Sequence, residues 1–214
     1  RTLNKFSHAT YSPKSFNNKF GVPLSLFNLN QKDDFGVFEV GMDKKGEIDT
    51  LTKIIKPDVG VITNISYAHA KNFKNLKQIA LAKSEIMNNI VSGGSIILNA
   101  DDKFYKFHQK IALKKKLKVY SFSINKKNAT VRLNSIKKEK TKFKATININ
   151  NQKKHFFISS NFENNLKNLL AAITVISIFK DIKTLNKNIF YNYQVPCGRG
   201  DISKIKINKK NIFL

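Results

Sequence analysis

The strongest constraint on the fold is a regular alternation of short apolar runs with helical patterns between residues 35 and 122. The apolar runs predict strands over 35–40, 59–65, 95–98 and 118–122, the first of them buried. The spacing of apolar residues between them predicts helices over 47–55, 75–91 and 103–116. Strands that alternate with helices are typical of a mostly parallel sheet with helices on its faces. The sequence therefore predicts an α/β fold.

The pattern changes near residue 128. Apolar and polar residues alternate over 129–136, 142–149 and 153–159, around two polar turns. This alternation predicts a small antiparallel meander with one solvated face. A helix should follow, capped by Ser160 or Asn161, with apolar positions from Leu166 to Ile176 buried on the sheet.

The net charge is strongly positive, because 39 lysines and arginines face 14 acidic residues and give a formal charge of +25. A charge of this size is found in proteins that bind nucleic acid or anionic membranes. Only Arg1, Arg132 and Arg199 are arginines, however, and the lysines are scattered over the whole chain. Proteins that clamp phosphates in numbers rely on the planar fork of arginine. We therefore expect no nucleic-acid binding, and a basic nucleic-acid-binding α/β protein stays as the alternative from a different class.

Three sequence features bear on the cellular compartment. The chain has a single cysteine, Cys197, so no intrachain disulfide can form. Its longest nearly apolar run, 169–179, is too short to span a bilayer, and no secretory leader opens the chain. We expect a cytoplasmic, monomeric protein with no membrane insertion.

Ligands of open α/β sheets bind at the carboxyl ends of the strands, so polar residues just after the apolar runs are candidates. Glu39 ends the first run and His69 follows the second, while Lys83 shares a helix face with Ile79 and Ile86. Burial favours the neutral amine of lysine, which can react with carbon dioxide to form an anionic carbamate. The three side chains would then suit magnesium. The alternatives are an ordinary strand-end carboxylate, a loop histidine and a lysine whose head lies in water.

Several longer strings occur in a fixed order along nearly the whole chain. They are SFNNKFGVPLSL at 15–26, FEVGM at 38–42, AKSEI at 82–86, LNADD at 98–102, NNLKNLLAA at 164–172 and GRG at 198–200. Together these strings resemble the Mur ligase family. Within it they are most similar to the branch that joins D-alanyl-D-alanine to UDP-N-acetylmuramoyl-tripeptide.

The resemblance implies the central ATPase domain of a three-domain ligase, with a P-loop NTPase-like sheet. In such enzymes ATP phosphorylates a peptide carboxylate, and the amine of the incoming peptide then attacks the acyl phosphate. Other Mur-type ligases, such as the one adding the third residue, and folylpolyglutamate synthase remain alternatives. The Asn17-Asn18 pair and the Ala68-His69 pair favour the D-alanyl-D-alanine branch.

The resemblance also implies roles for single residues. Glu39, His69 and Lys83, the last as a carbamate, would be the catalytic residues and ligands of magnesium. The residues implied in contacts with ATP are Asn165, Asn168 and Arg199. Asn17 and Asn18 would hold the UDP-linked peptide. Asp101 and Asp102 are expected to be loop or cap residues.

Two departures from the family pattern affect the expected domain organisation. No phosphate-binding GxxGK[ST] string precedes Ser15, and Asn164 stands where the family usually has histidine. We expect residues 1–200 to be a central ATP-binding domain that lacks its P-loop, and 201–214 to begin a truncated C-terminal domain. Such a fragment alone should not turn over ATP.

Overall fold

A small parallel sheet opens the chain. The computed structural model describes residues 2–13, 15–67, 72–159, 163–191, 204–207 and 210–213. Strand β1 (Ala9–Tyr11) pairs in parallel with β2 (Phe35–Val37), and helix α1 (Gly21–Phe27) lies between them in the chain. The sequence correctly places a strand here, but the prediction of a buried strand over 35–40 is wrong. The strand has only three residues and Val37 is 47% exposed.

The early end of β2 has a hydrogen-bonding cause. After Val37, the Glu39 N–H donates to the Ser12 hydroxyl at 3.1 Å, and the Gly41 N–H donates to the Asn17 carbonyl at 2.7 Å. These bonds run to a loop and not to a neighbouring strand, so the ladder cannot continue.

A six-stranded sheet forms the centre of the fold. In order across the sheet, its strands are β3 (Val59–Ile62), β4 (Ser95–Asn99), β5 (Lys118–Ser123), β6 (Val131–Glu139), β7 (Lys142–Ile149) and β8 (Gln152–Ile158). Strands β3 to β6 pair in parallel, and β6 to β8 pair antiparallel. The predicted meander is therefore confirmed as a continuation of the parallel sheet, and the α/β fold class is confirmed with it.

Helices cover both faces of this sheet. They are α2 (Glu47–Ile55), α3 (Leu76–Ser84), α4 (Tyr105–Lys114) and α5 (Glu163–Phe179). Alternate residues of β4 separate two cores, because Ile97 packs in the core that contains α5, whereas Ile96 and Leu98 pack with residues of α3 and α4. No helix in the described ranges is long and apolar enough to cross a bilayer.

Helix α3 is shorter than the pattern over 75–91 predicts. It begins after Asn75, whose side chain accepts the Gln78 N–H at 3.0 Å, and it becomes a 3-10 turn at Glu85–Asn88. The predicted caps of α5, Ser160 and Asn161, lie outside the described residues. Strands β9 (Lys204–Ile207) and β10 (Lys210–Phe213) form an antiparallel hairpin near the end of the chain.

The core between α5 and the sheet gives a stability prediction. Leu170 on α5 is 0% exposed, so Leu170→Ala should lower the free energy of unfolding by about 2–5 kcal/mol through lost burial and a cavity. Urea unfolding of the purified protein measures this change. The matched control is Leu113→Ala, whose side chain is 61% exposed and whose effect should stay within about 0.5 kcal/mol. Equal effects of the two variants would contradict the packing described here.

Candidate functional site

The loop after β4 ties together the carboxyl ends of the parallel strands. The Asn99 amide donates to the Thr63 carbonyl at 3.0 Å, just past β3. Asp101 accepts the Ser123 hydroxyl at 2.6 Å and the Ile124 N–H at 2.7 Å, at the end of β5. These bonds fix three neighbouring strand ends, so the carboxyl edge is a preformed platform where a ligand of an α/β sheet would bind.

Asp102 extends this platform toward Lys83. Its carboxylate accepts the Ile65 N–H at 2.7 Å and the Phe104 N–H at 2.8 Å, so it holds the loop after β3 and the start of α4. The sequence predicts Asp101 and Asp102 only as loop or cap residues. The structure gives them a larger part in the site, because they join strand ends that are distant in the chain.

Lys83 reaches the same loop from α3. Its Nζ donates to the Asn64 carbonyl at 2.9 Å, and its side chain is half-buried beside the fully buried Ile79. Burial lowers the pKa of Lys83, and the nearby Asp102 carboxylate partly opposes this effect. A lowered pKa increases the fraction of neutral amine, which is the form that reacts with carbon dioxide. His69 follows Asn64 by five residues and lies outside the described residues.

A buried histidine lies behind Lys83. His108 on α4 is 2% exposed, and its Nε2 is 2.9 Å from the Ala80 carbonyl on α3. Because a carbonyl can only accept, Nε2 carries the proton. Burial lowers the pKa of His108, so the ring is neutral at physiological pH. His108 therefore joins α3 to α4 one turn before Lys83 and acts as a structural residue.

Glu39 is held by a residue that the sequence assigns to another role. Its Oε1 accepts the Asn17 amide at 3.1 Å, and the Asn17 carbonyl accepts the Gly41 N–H at 2.7 Å. A Cβ atom on Gly41 would lie only 3.0 Å from the Asn17 side chain, so glycine permits this approach. The structure thus brings Asn17 and Glu39 together at the loop after β2.

Asn18 has a local structural role. Its Oδ1 accepts the Phe20 and Gly21 N–H groups, both at 3.0 Å, and so supports the start of α1. A Cβ atom on Gly21 would lie 2.5 Å from the Phe16 Cα, so only glycine fits. The same loop lines an open depression, whose residues are Ser15, Phe16, Asn18, Phe20, Gly21 and Leu24.

Two of the three residues implied in contacts with ATP lie on α5. Asn165 is half-buried and Asn168 is exposed, and both stand near the start of α5. They are three residues apart and so share one side of the helix. Helix α5 packs on the sheet face opposite to α3, and Arg199 lies outside the described residues.

The donor chemistry fits a magnesium ion. Within the described ranges, no three His, Cys, Asp or Glu side chains form a cluster that could hold a metal. The Glu39 carboxylate and a carbamate on Lys83 would supply hard oxygen ligands, which magnesium prefers. The ion would keep its other coordination positions for water and phosphate. His69 would add an imidazole. The residues present are therefore compatible with magnesium, held by few protein ligands.

Comparison with known proteins gives matches over most of the chain. The Mur ligase middle domain family matches residues 2–176. The UDP-N-acetylmuramoyl-tripeptide–D-alanyl-D-alanine ligase of Buchnera aphidicola subsp. Baizongia pistaciae is 31% identical over 197 residues, which are 92% of this chain and 42% of that protein. The chain thus spans less than half the length of this relative.

Solved structures share the fold. The crystal structure of MurF from Acinetobacter baumannii aligns with a TM-score of 0.85 at 24% identity, over 99% of this chain and 45% of that one. MurF ligase from Thermotoga maritima, solved in complex with ADP, aligns with a TM-score of 0.79 at 20% identity. That alignment covers 96% of this chain and 46% of the Thermotoga chain.

Proposed function

This chain belongs to the Mur ligase family, and from that premise we propose that it is the ATP-binding part of a peptidoglycan-precursor ligase. The reaction would join D-alanyl-D-alanine to UDP-N-acetylmuramoyl-tripeptide with hydrolysis of ATP to ADP and phosphate. The observation that carries the proposal is the 31% identity, over 92% of this chain, to a ligase named for that reaction. The ADP complex of the Thermotoga relative supports the use of ATP.

The proposed domain organisation follows from the share of each relative that is matched. This chain covers 42% of the Buchnera ligase and 45% of the Acinetobacter MurF chain. We therefore propose that residues 1–200 belong to a central domain, and that 201–214 begin a further domain. Sequencing the reading frame on both sides tests this, because a strand followed by GxxGK[ST] should lie upstream of Arg1. A start codon adjacent to Arg1 would contradict the proposal.

The proposed reaction has two steps. A carboxylate oxygen of the tripeptide attacks the γ-phosphorus of ATP, and ADP leaves. The amine of D-alanyl-D-alanine then attacks the acyl carbon, and phosphate leaves with the carboxylate oxygen. Negative charge accumulates on the transferring phosphoryl group, and a bound magnesium ion would neutralise part of it. The protein therefore contributes mainly position and charge.

We propose roles for the chain's own residues from the resemblance, with the contacts of the described residues as support. Lys83, held at the Asn64 carbonyl beside Asp102, would carry the carbamate, and Glu39 and His69 would complete the magnesium ligands. Asn165, Asn168 and Arg199 would bind ATP. Asn17 and Asn18 would bind the UDP-linked peptide. Because Asn17 also donates to Glu39, substrate that binds Asn17 would contact a direct neighbour of this proposed magnesium ligand. We also propose that the protein works in the cytoplasm, where ATP and UDP-linked peptides are found, and that it is a monomer, which size-exclusion chromatography with light scattering would test.

A substrate panel tests the function. The complete gene product should release ADP only when UDP-N-acetylmuramoyl-tripeptide and D-alanyl-D-alanine are both present. The competing pairs are UDP-N-acetylmuramoyl-dipeptide with a diamino acid, and a folate with glutamate. ADP release with either competing pair in place of the first would reassign the chain within the family. Salt-sensitive retention on DNA without any ADP release would favour the nucleic-acid alternative.

A further inference from the structure

A buried carboxylate lies two residues after Lys83. Glu85 is 9% exposed, and it is the only buried acidic side chain in the part of the chain that the structure describes. A buried carboxylate is costly unless hydrogen bonds satisfy it. Its two oxygens lie 2.9 and 3.0 Å from the Gly46 nitrogen, and Oε2 also accepts the Asp49 N–H at 3.3 Å. Glu85 therefore binds the start of α2, almost 40 residues away in the chain.

The start of α2 needs such an external acceptor. Its N-cap residue, Gly46, has no side chain to accept the first helical N–H groups, and its φ of +90° is one that glycine adopts readily. The Glu85 carboxylate takes the place of an N-cap side chain, and its negative charge suits the positive end of the helix.

Gly46 also ends the loop that begins after Glu39. This loop is held near its start by Gly41, which donates to Asn17, and at its middle by Glu47, whose Oε2 accepts the Asp43 N–H at 2.6 Å and the Lys44 N–H at 3.1 Å. At its end, Gly46 is tied to Glu85. This last contact joins the end of the Glu39 loop to a residue that follows Lys83 by two positions.

We propose that Glu85 is a positioning residue, which fixes the Glu39 loop relative to Lys83 so that both reach one magnesium-phosphate site. The inference rests on the proposed function for the roles of Glu39 and Lys83. It goes further by assigning their relative placement to a residue that touches neither substrate nor metal. Loss of Glu85 should loosen the loop over 41–47 and weaken magnesium use, while the binding of D-alanyl-D-alanine should change little.

A second link between the same two elements provides a matched control. Asp49 on α2 accepts the Asn88 amide at 2.9 Å and the Asn89 amide at 3.1 Å, and forms an ion pair with Lys53 at 2.8 Å. The two amide contacts join α2 to the end of the 3-10 turn, the ion pair lies within α2, and none of the three involves the Glu39 loop or Lys83. Asp49→Ala should therefore lower the stability of the protein without changing its magnesium requirement.

The test compares Glu85→Ala, Glu85→Gln and Asp49→Ala in the complete gene product. Glu85→Ala should raise the magnesium concentration for half-maximal ADP release by about tenfold or more and lower kcat, with the KM for D-alanyl-D-alanine unchanged. Amide hydrogen exchange over 41–47, measured without magnesium or nucleotide, should be faster. Glu85→Gln keeps one acceptor oxygen and should restore part of both properties, whereas Asp49→Ala should match the wild type in both.

The outcomes separate this inference from the proposed function. A wild-type protein that releases no ADP refutes the function, and the hydrogen-exchange comparison then still decides whether Glu85 holds the loop. The inference is overturned if Glu85→Ala is active and if its magnesium titration and its amide hydrogen exchange over 41–47 both match those of Asp49→Ala. If Glu85→Ala does not fold, the variants Glu85→Gln and Gly46→Ala test the inference in its place. Gly46→Ala strains the same contact from the other side without a clash, so wild-type magnesium titrations of both variants would overturn the inference.

Discussion

Replacing Lys83 by alanine should abolish ATP-dependent ligation in the complete gene product, with kcat lower by about a thousandfold or more. The reason is the position of the amine, half-buried and donating to the Asn64 carbonyl at the carboxyl edge of the sheet, with a lowered pKa. A carbamate formed there would supply the anionic ligand on which the proposed site depends. ADP release with both peptide substrates is the measurement.

Rescue and control variants make this prediction specific to the carbamate. Added bicarbonate should restore part of the activity of Lys83→Ala. Lys83→Arg should stay inactive, because a guanidinium stays protonated and cannot form a carbamate. Lys77→Ala removes an exposed lysine of the same helix and should have wild-type activity. Full activity of Lys83→Ala would refute the assignment, and failure of every carboxylate and of bicarbonate to rescue it would remove the support for a carbamate.

Replacing Glu39 by alanine should raise the magnesium requirement by about tenfold or more, because the proposed carboxylate ligand just after β2 is lost. Glu39→Gln should have a similar effect, since it keeps the Asn17 contact within reach but removes the charge. His69→Ala should shift the magnesium titration in the same direction. ADP release at saturating peptides, titrated with magnesium, measures all three variants.

The control for Glu39 is a glutamate far along the sheet. Glu139 lies at the end of β6, where its carboxylate is 3.9 Å from the Nζ of Lys144 on the neighbouring strand β7. Glu139→Ala should leave the magnesium titration unchanged. An unaltered titration for Glu39→Ala would mean that Glu39 is not a ligand.

The sequence predicts most of the architecture because local periodicity reflects burial. The apolar spacing over 47–55 gives α2 with its observed bounds, and the alternation over 142–149 gives β7 in the same way. Prediction from local periodicity fails where tertiary hydrogen bonds override the local pattern. Helix α3 gives way to a 3-10 turn at Glu85, whose side chain binds Gly46, and β2 ends early because Glu39 and Gly41 bond to a distant loop.

The candidate site is only partly visible in the sequence, for a similar reason. The spacing of Lys83 with Ile79 predicts its partial burial, and the structure agrees. Two interactions of the site join residues about 20 apart in the chain, so no local pattern indicates them. They are the contact between Asn17 and Glu39 and the electrostatic effect of Asp102 on Lys83. The AKSEI and LNADD strings contain Glu85 and Asp102, but only the fold shows what these two carboxylates bind.

The path of one oxygen atom tests the account most directly. UDP-N-acetylmuramoyl-tripeptide labelled with ¹⁸O in its reacting carboxylate is supplied with ATP, magnesium and D-alanyl-D-alanine to the complete gene product. If the chain belongs to a ligase that works through an acyl phosphate, one ¹⁸O atom should appear in inorganic phosphate for each peptide bond formed. Label found in AMP, or phosphate released without label, would contradict this mechanism.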